Sequence, residues 1–249
     1  MPRCAAPNGV KLSPANGYHS TMRHAIAAAV ALITISSSTL VAGPGPVANQ
    51  WKATLEQTAT LLQDSEFVEA RGRLLKLTRE MADEITEPGD ADRLLGVALA
   101  QLAVAEAGAG NVDDAIWCWQ IAQNVHPDIR AFDLSPYGKF SGVLSANILP
   151  ATPEKCARPA NAPAPAVMQR SEPRYPKRAR QIPIMGLVIV EIERDSSGRP
   201  IHPQVLRSPS AALTYSTLTT LREWRFAPPL DETELPSRFC RIFSFGQHR

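Results

Sequence analysis

The chain is poor in the groups that carry covalent chemistry. Its five histidines, His19, His24, His126, His202 and His248, are scattered. There is no H-E-x-x-H, no G-x-S-x-G and no glycine-rich phosphate loop, so zinc-protease, serine-hydrolase and nucleotide-hydrolysing chemistry lack their residues. No C-x-x-C pair exists among Cys4, Cys118, Cys156 and Cys240, which argues against zinc ribbons and dithiol redox catalysis. We therefore expect no catalytic residues, no metal and no cofactor, and a protein that binds rather than catalyses. Cys4 falls in a leader, leaving three cysteines and at most one disulfide. Cys118 on a helix pattern and Cys240 on a strand pattern are expected to behave as small apolar groups. A formal net charge of +2 says little by itself, and no nucleic-acid partner is expected.

Long apolar runs are also scarce. Residues 25–42 form one uncharged stretch of 18 residues, behind the short positive flank Met22-Arg23-His24 and ahead of small residues, which is the order of an export signal. Its length sits at the lower edge for a membrane span, and Ser36, Ser37, Ser38 and Thr39 dilute its second half. We expect residues 22–48 to be a signal peptide or a membrane anchor, with 1–21 a leader that a start at Met22 would omit. Either form implies export. No second such run follows, so a polytopic protein is not expected.

What is present divides by charge. Residues 48–130 carry 14 Asp/Glu against 7 Lys/Arg, and residues 167–249 carry 13 Lys/Arg against 8 Asp/Glu. This asymmetry suggests two units with different neighbours. The first, residues 50–147, reads as helices over 51–63, 66–85, from Asp90 or Asp92 to about Glu106, and from an Asn111 cap to just before Pro127. Leu102, Ala103, Gly110, Ala115, Trp119, Ala122 and Pro127 fall at the spacing of a tetratricopeptide repeat of about 34 residues, with Glu106 where the repeat usually carries an aromatic. The first helix pair fits loosely, so the array is degenerate and needs a cap or a partner; its surface is a candidate protein-binding face, with Trp117 and Trp119 as core. Phe132, Leu134 and Tyr137 are expected to pack back on these helices. Residues 148–172, rich in Pro and Ala, read as an extended spacer reaching on the order of 80 Å.

Residues 173–249 switch period from two to about 3.6 and back. Val188, Val190 and Ile192 alternate with Glu191 and Glu193; Asp195-Ser196-Ser197-Gly198 is a turn; a second strand follows over 199–208. Ser208 or Ser210 caps a helix to about Arg225 with a stripe of Leu218, Leu221 and Trp224. Pro228-Pro229 stops it, and residues 237–245 alternate again. The fold class is therefore α+β: helical hairpins, a Pro/Ala linker, and a small three-stranded antiparallel sheet with a packed helix.

Several motifs here stand in order. Pro173, Tyr175, Pro176 and Ala179 form P-x-Y-P-x-x-A. Gly186, Val188, Val190, Ile192 and Gly198 fit a G-x-V-x-V-x-F-x-V-x-x-x-G hairpin pattern, with Arg194 at a usually apolar position. Trp224, Arg225, Phe226, Pro228 and Pro229 complete W-R-F-x-P-P. This region resembles the C-terminal domain of the TonB family. The resemblance implies a periplasmic domain that grips a peptide of an outer-membrane transporter and is coupled through an N-terminal anchor to a proton-driven inner-membrane motor. The alternative is a soluble periplasmic scaffold with a cleaved signal. The family's anchor usually carries a His within the span; His24 lies at the edge.

A small sheet leaves unpaired edges, and a peptide can add there as a strand. The expected pairing strand is Arg238, Phe239, Cys240, Arg241, Ile242, Phe243, Ser244 and Phe245. The resemblance adds Tyr175 and Pro176 near the peptide. Trp224 and Phe226 are assigned to the core. The cluster Arg170, Arg174, Lys177, Arg178 and Arg180 is expected to face acidic transporter loops, the anionic cell wall, or solvent.

Overall fold

The computed structural model describes residues 46–86, 89–150, 165–229 and 238–246. Residues 22–45 of the expected signal or anchor segment and the centre of the proposed spacer, residues 151–164, lie outside them, while residues 46–48 begin the first helix. Among the described residues no helix is long and apolar enough to cross a membrane.

Helix α1 (Pro46–Gln63) starts five residues earlier than its apolar pattern suggests, because proline is favourable at a first helical position. Its buried Trp51, Leu55, Thr58 and Leu62 fall at four-three-four spacing, as do Ala70, Leu74, Leu77 and Met81 on α2 (Phe67–Glu84). These stripes face α3 (Asp90–Gly108), which is buried all round from Leu94 to Ala107, as expected of a central helix. Helix α4 (Val112–Val125) completes the second hairpin. Two capping expectations fail. Gly89, not Asp90 or Asp92, precedes α3, and no side chain caps it. Asn111 precedes α4, but its amide donates to Glu106 instead of capping (2.7 Å). Glu106 also accepts from Arg71 at 2.8 Å, so the acid standing in the aromatic position of the repeat is a buried, doubly bonded carboxylate. Gln101, likewise buried, accepts from Thr58 and donates to the Leu55 carbonyl. Phe132, Leu134 and Tyr137 pack on this core, and a short helix α5 (Lys139–Ser145) follows.

The C-terminal part is an antiparallel sheet in the order β3-β2-β5, with β2 Gly186–Arg194, β3 Pro200–Arg207 and β5 Phe239–Phe245. Val188, Val190 and Ile192 of β2 are fully buried against α7 (Ala211–Leu221). Ser210 caps α7 by accepting from the Leu213 N–H at 3.2 Å. The helix ends four residues short of the expected Arg225, so Trp224 lies beyond it, buried with Phe226 in an aromatic cluster. Trp224 meets Phe243 at 5.3 Å and Phe226 meets Phe239 edge-on at 5.0 Å. A one-turn helix α6 (Lys177–Gln181) precedes the sheet. A second, two-stranded ladder was not anticipated: β1 (Val167–Gln169), inside the expected spacer, pairs with β4 (Arg225–Phe226).

The described residues from 46 onward form one compact unit, so the acidic and basic halves do not look outward to different neighbours. They face each other. Asp83 holds Arg174 and Lys177, Glu84 pairs with Arg178 at 3.3 Å, and Asp114 pairs with Arg222 at 3.1 Å. Between these pairs Trp117 donates its indole N–H to the Leu218 carbonyl at 3.1 Å, and the Arg222 guanidinium lies 5.5 Å above its ring. Trp119 is a core residue, as expected; Trp117 is also buried, but at the junction between the two parts.

Two substitutions test this architecture. Gly198 has φ 80, its carbonyl accepts from Phe226 N–H at 2.8 Å, and an added Cβ would collide with the Phe226 carbonyl oxygen. Gly198→Ala is expected to lower stability by roughly 1–3 kcal/mol in urea unfolding. Asp83 is 6% exposed. Burial alone would push its carboxyl up, but the Arg174 hydrogen bond, the Lys177 backbone N–H and both positive charges outweigh burial and hold it below the ordinary value. Its stabilisation is therefore complete above the unfolded-state pKa of about 3.9 and is lost as pH falls through the lower folded value. Asp83→Asn should cost about 1–2 kcal/mol at pH 7, with Arg174 half in solvent, and the gap from wild type should close as pH falls through that lowered folded value.

Candidate peptide-binding edge

The two outer strands of the sheet differ. β5 pairs with β2 in uninterrupted register from Gly186 opposite Phe245 to Ile192 opposite Phe239. It contains no proline and no bulge. β3 has two register shifts against β2, prolines at 200 and 203, and a left-handed His202 at φ 49. Kinks and prolines of this kind blunt an edge. Within the described sheet β5 is the regular outer strand.

Alternation sets what β5 shows on each face. Phe239, Phe243 and Phe245 are buried beneath the sheet, and Arg241 shares that side, its guanidinium 5.3 Å from the rings of both Phe226 and Phe239. Cys240, Ile242 and Ser244 occupy the other face. Tyr175 stacks on Phe245 with centroids 5.8 Å apart and donates its hydroxyl to the Ile184 carbonyl at 2.9 Å. Tyr175 and the end of β5 are thus brought together. Pro176 is not part of this surface: it is buried directly ahead of α6, where the Lys177 N–H reaches Asp83. Of the basic cluster, Arg174, Lys177 and Arg178 are engaged by helix α2, while Arg170 and Arg180 are exposed.

The start of β5 is already occupied. Arg238 pairs with Glu193 at 2.9 Å and approaches Glu191 at 3.9 Å, and Glu193 also meets His202 at 3.0 Å. Arg241 donates to the Pro165 carbonyl. Cys240 is disulfide-bonded, not the free apolar thiol expected from its strand position; Cys118 is free, its thiol pushed up to about 12 by burial, with Glu106 and Asp114 adding to it. The candidate edge therefore narrows to residues 242–245.

An apolar margin borders that stretch and was missed as a feature of the site. Ile242 is 63% exposed, Met185 61% and Leu187 40%. Leu187 lies opposite Ser244, and Ile189 opposite Ile242. The signal was present in β2: its outward positions run Leu187, Ile189, Glu191, Glu193, so the face turns from apolar to acidic halfway along. Among the described residues no cluster of His, Cys, Asp and Glu could hold a metal ion.

Residues 171–245 match the family described as the Gram-negative bacterial TonB protein C-terminal. Over 63 residues, a quarter of this chain, the sequence is 40% identical to Protein TonB of Vibrio cholerae serotype O1 (strain ATCC 39315 / El Tor Inaba N16961), and it covers 26% of that protein's length. A solution NMR structure of the Pseudomonas aeruginosa TonB C-terminal domain aligns with 36% of this chain and 93% of its own, at 25% identity and a TM-score of 0.29. With its three motifs folded into one sheet, one packed helix and one aromatic cluster, the segment spanning residues 171–245 is a TonB-family C-terminal domain.

Proposed function

We propose that this protein is a TonB-like periplasmic adaptor whose C-terminal domain takes a peptide segment of an outer-membrane transporter as an added strand along β5, and whose N-terminal segment, residues 22–48, couples that grip to the inner-membrane motor. The observation that carries the reading is the unbroken, proline-free register of β5 at the outside of the sheet. Residues 242–245 offer backbone groups for pairing. Ile242 and Leu187 offer apolar contact on one face, and the Tyr175–Phe245 stack closes the end. Main-chain bonds supply grip and alternate side chains supply choice. The reading is of an adaptor and not an enzyme.

Two measurements test it. In a synthetic transporter peptide, N-methylation of alternate amides should weaken binding roughly tenfold or more at one parity and little at the other, because only every second N–H of an added strand faces the sheet. Equal tolerance at both parities rules out strand addition. Sequencing the N-terminus of the mature protein, with its membrane partitioning, tests coupling. The adaptor requires a membrane-retained product with the leader intact. A soluble product starting near Pro46 or Asn49 leaves the scaffold reading, which the serines at 36–38 favour.

A further inference from the structure

The second edge of the sheet points to the role of the helical layer. Prolines 200 and 203 remove N–H donors from the first half of β3, but residues 204–207, Gln-Val-Leu-Arg, contain none. This is the half of the strand that a neighbouring chain could use. Here the Asn124 side chain of α4 intervenes. Its Oδ1 accepts from the Val205 N–H at 2.7 Å and its Nδ2 donates to the Pro203 carbonyl at 2.8 Å. One carboxamide thus makes the two bonds that a residue of an adjoining parallel strand would make, to a carbonyl and to the N–H two residues on. Nδ2 also donates to the Gln120 carbonyl at 2.8 Å, which fixes the amide orientation against its own helix.

Asn124 does not act alone. Asp114, Trp117 and Asn124 lie three and seven residues apart and share one face of α4. Asp114 takes Arg222, Trp117 takes the Leu218 carbonyl, and Asn124 takes β3. Beside it Gln123 bonds the Leu149 N–H at 2.7 Å and the Asn147 carbonyl at 3.1 Å, so the turn leaving the helical layer is tied to the same helix. This face of the repeat-like layer is filled by the C-terminal domain.

We propose that α4 is a strand-edge cap: the helical layer's partner is the C-terminal domain of the same chain, and through Asn124 it closes β3 so that the sheet has one usable edge, β5. The occupant it excludes is an extended strand from a second copy of this chain. This inference rests on the sheet geometry and not on the transporter reading, and it stands or falls separately.

The test uses the full chain carrying Asn124→Ala, followed by backbone amide exchange and sedimentation. The Val205 amide should exchange roughly tenfold faster or more, with the β2–β5 amides unchanged, and self-association should strengthen roughly tenfold. Asn124→Leu, which fills a similar space but neither accepts from the Val205 N–H nor donates to the Pro203 carbonyl, should behave similarly and serves if the alanine variant is poorly folded. The decisive arm is Asn124→Ala with Val205→Pro. Proline removes the outward donor by a different means, so association should return to the wild-type level. A folded Asn124→Ala protein with faster Val205 exchange and unchanged association overturns the proposal. Unchanged Val205 exchange, or association that the proline leaves in place, does so too.

Discussion

A sheet of three strands cannot hide its own edges, and the arrangement of the described chain follows from how differently its two edges are treated. Each outer strand carries a row of backbone groups that must meet water, a ligand or another part of the protein. On β3 the chain uses three devices together: proline, a bulge with a left-handed histidine, and the carboxamide of Asn124. On residues 242–245 it uses none of the first two, and the register with β2 runs through to Phe245. This asymmetry gives the small domain a direction. It also gives the helical layer a physical purpose, since a carboxamide can act as a strand only if a rigid helix holds it there.

The junction that holds α4 in place is built mostly from polar groups, yet the apolar area beneath them does the larger share of stabilisation. Trp117, Leu218 and Leu221 are buried, and burying side chains of this size contributes about 1.5–3 kcal/mol each. The ion pairs at the rim, such as Arg178 with Glu84, are half in solvent and contribute at most about 1 kcal/mol. Their value is orientation. Asp83 is different because its carboxylate is buried, so Arg174 and the first N–H of α6 must meet it or leave a charge unpaired. That requirement positions the Tyr175-Pro176 segment. Pro176 is drawn inward while Tyr175 turns out onto Phe245.

Much of this was legible in the residues, and the failures have physical causes. The hairpin turn could be read because Asp195 and Gly198 have local preferences that tertiary structure did not override: Asp195 accepts from the N–H groups of Ser197 and Arg199, and Gly198 takes a positive φ. The strands and the core role of Trp224 and Phe226 followed from period-two alternation and aromatic burial. The cap of α4 was misjudged because Asn111 has a stronger claim on it, the buried Glu106 carboxylate five residues earlier, and that of α3 because Gly89, which has no side chain to cap with, takes the position before the helix. The charge asymmetry was visible but read outward, because composition reports which charges exist and not what they face. β1 was hidden for a related reason. Three residues pairing with two carry no periodicity, and their strand character comes wholly from β4.

The disulfide at Cys240 and the Arg241 bond to Pro165 sharpen what the domain can grip. They engage the part of β5 nearest Glu191 and Glu193, where the outward face is acidic and already bonded by Arg238 and His202. The remaining stretch is apolar on that face and aromatic on the other. A strand placed there meets no charge it must desolvate, which matters because an unpaired buried charge costs far more than a lost apolar contact. Under the proposed coupling, load on such a strand runs along β5 and enters β2 through a ladder that has no bulge to peel from. The same regularity that leaves this edge open to a partner therefore makes it the strand best suited to bear a pull.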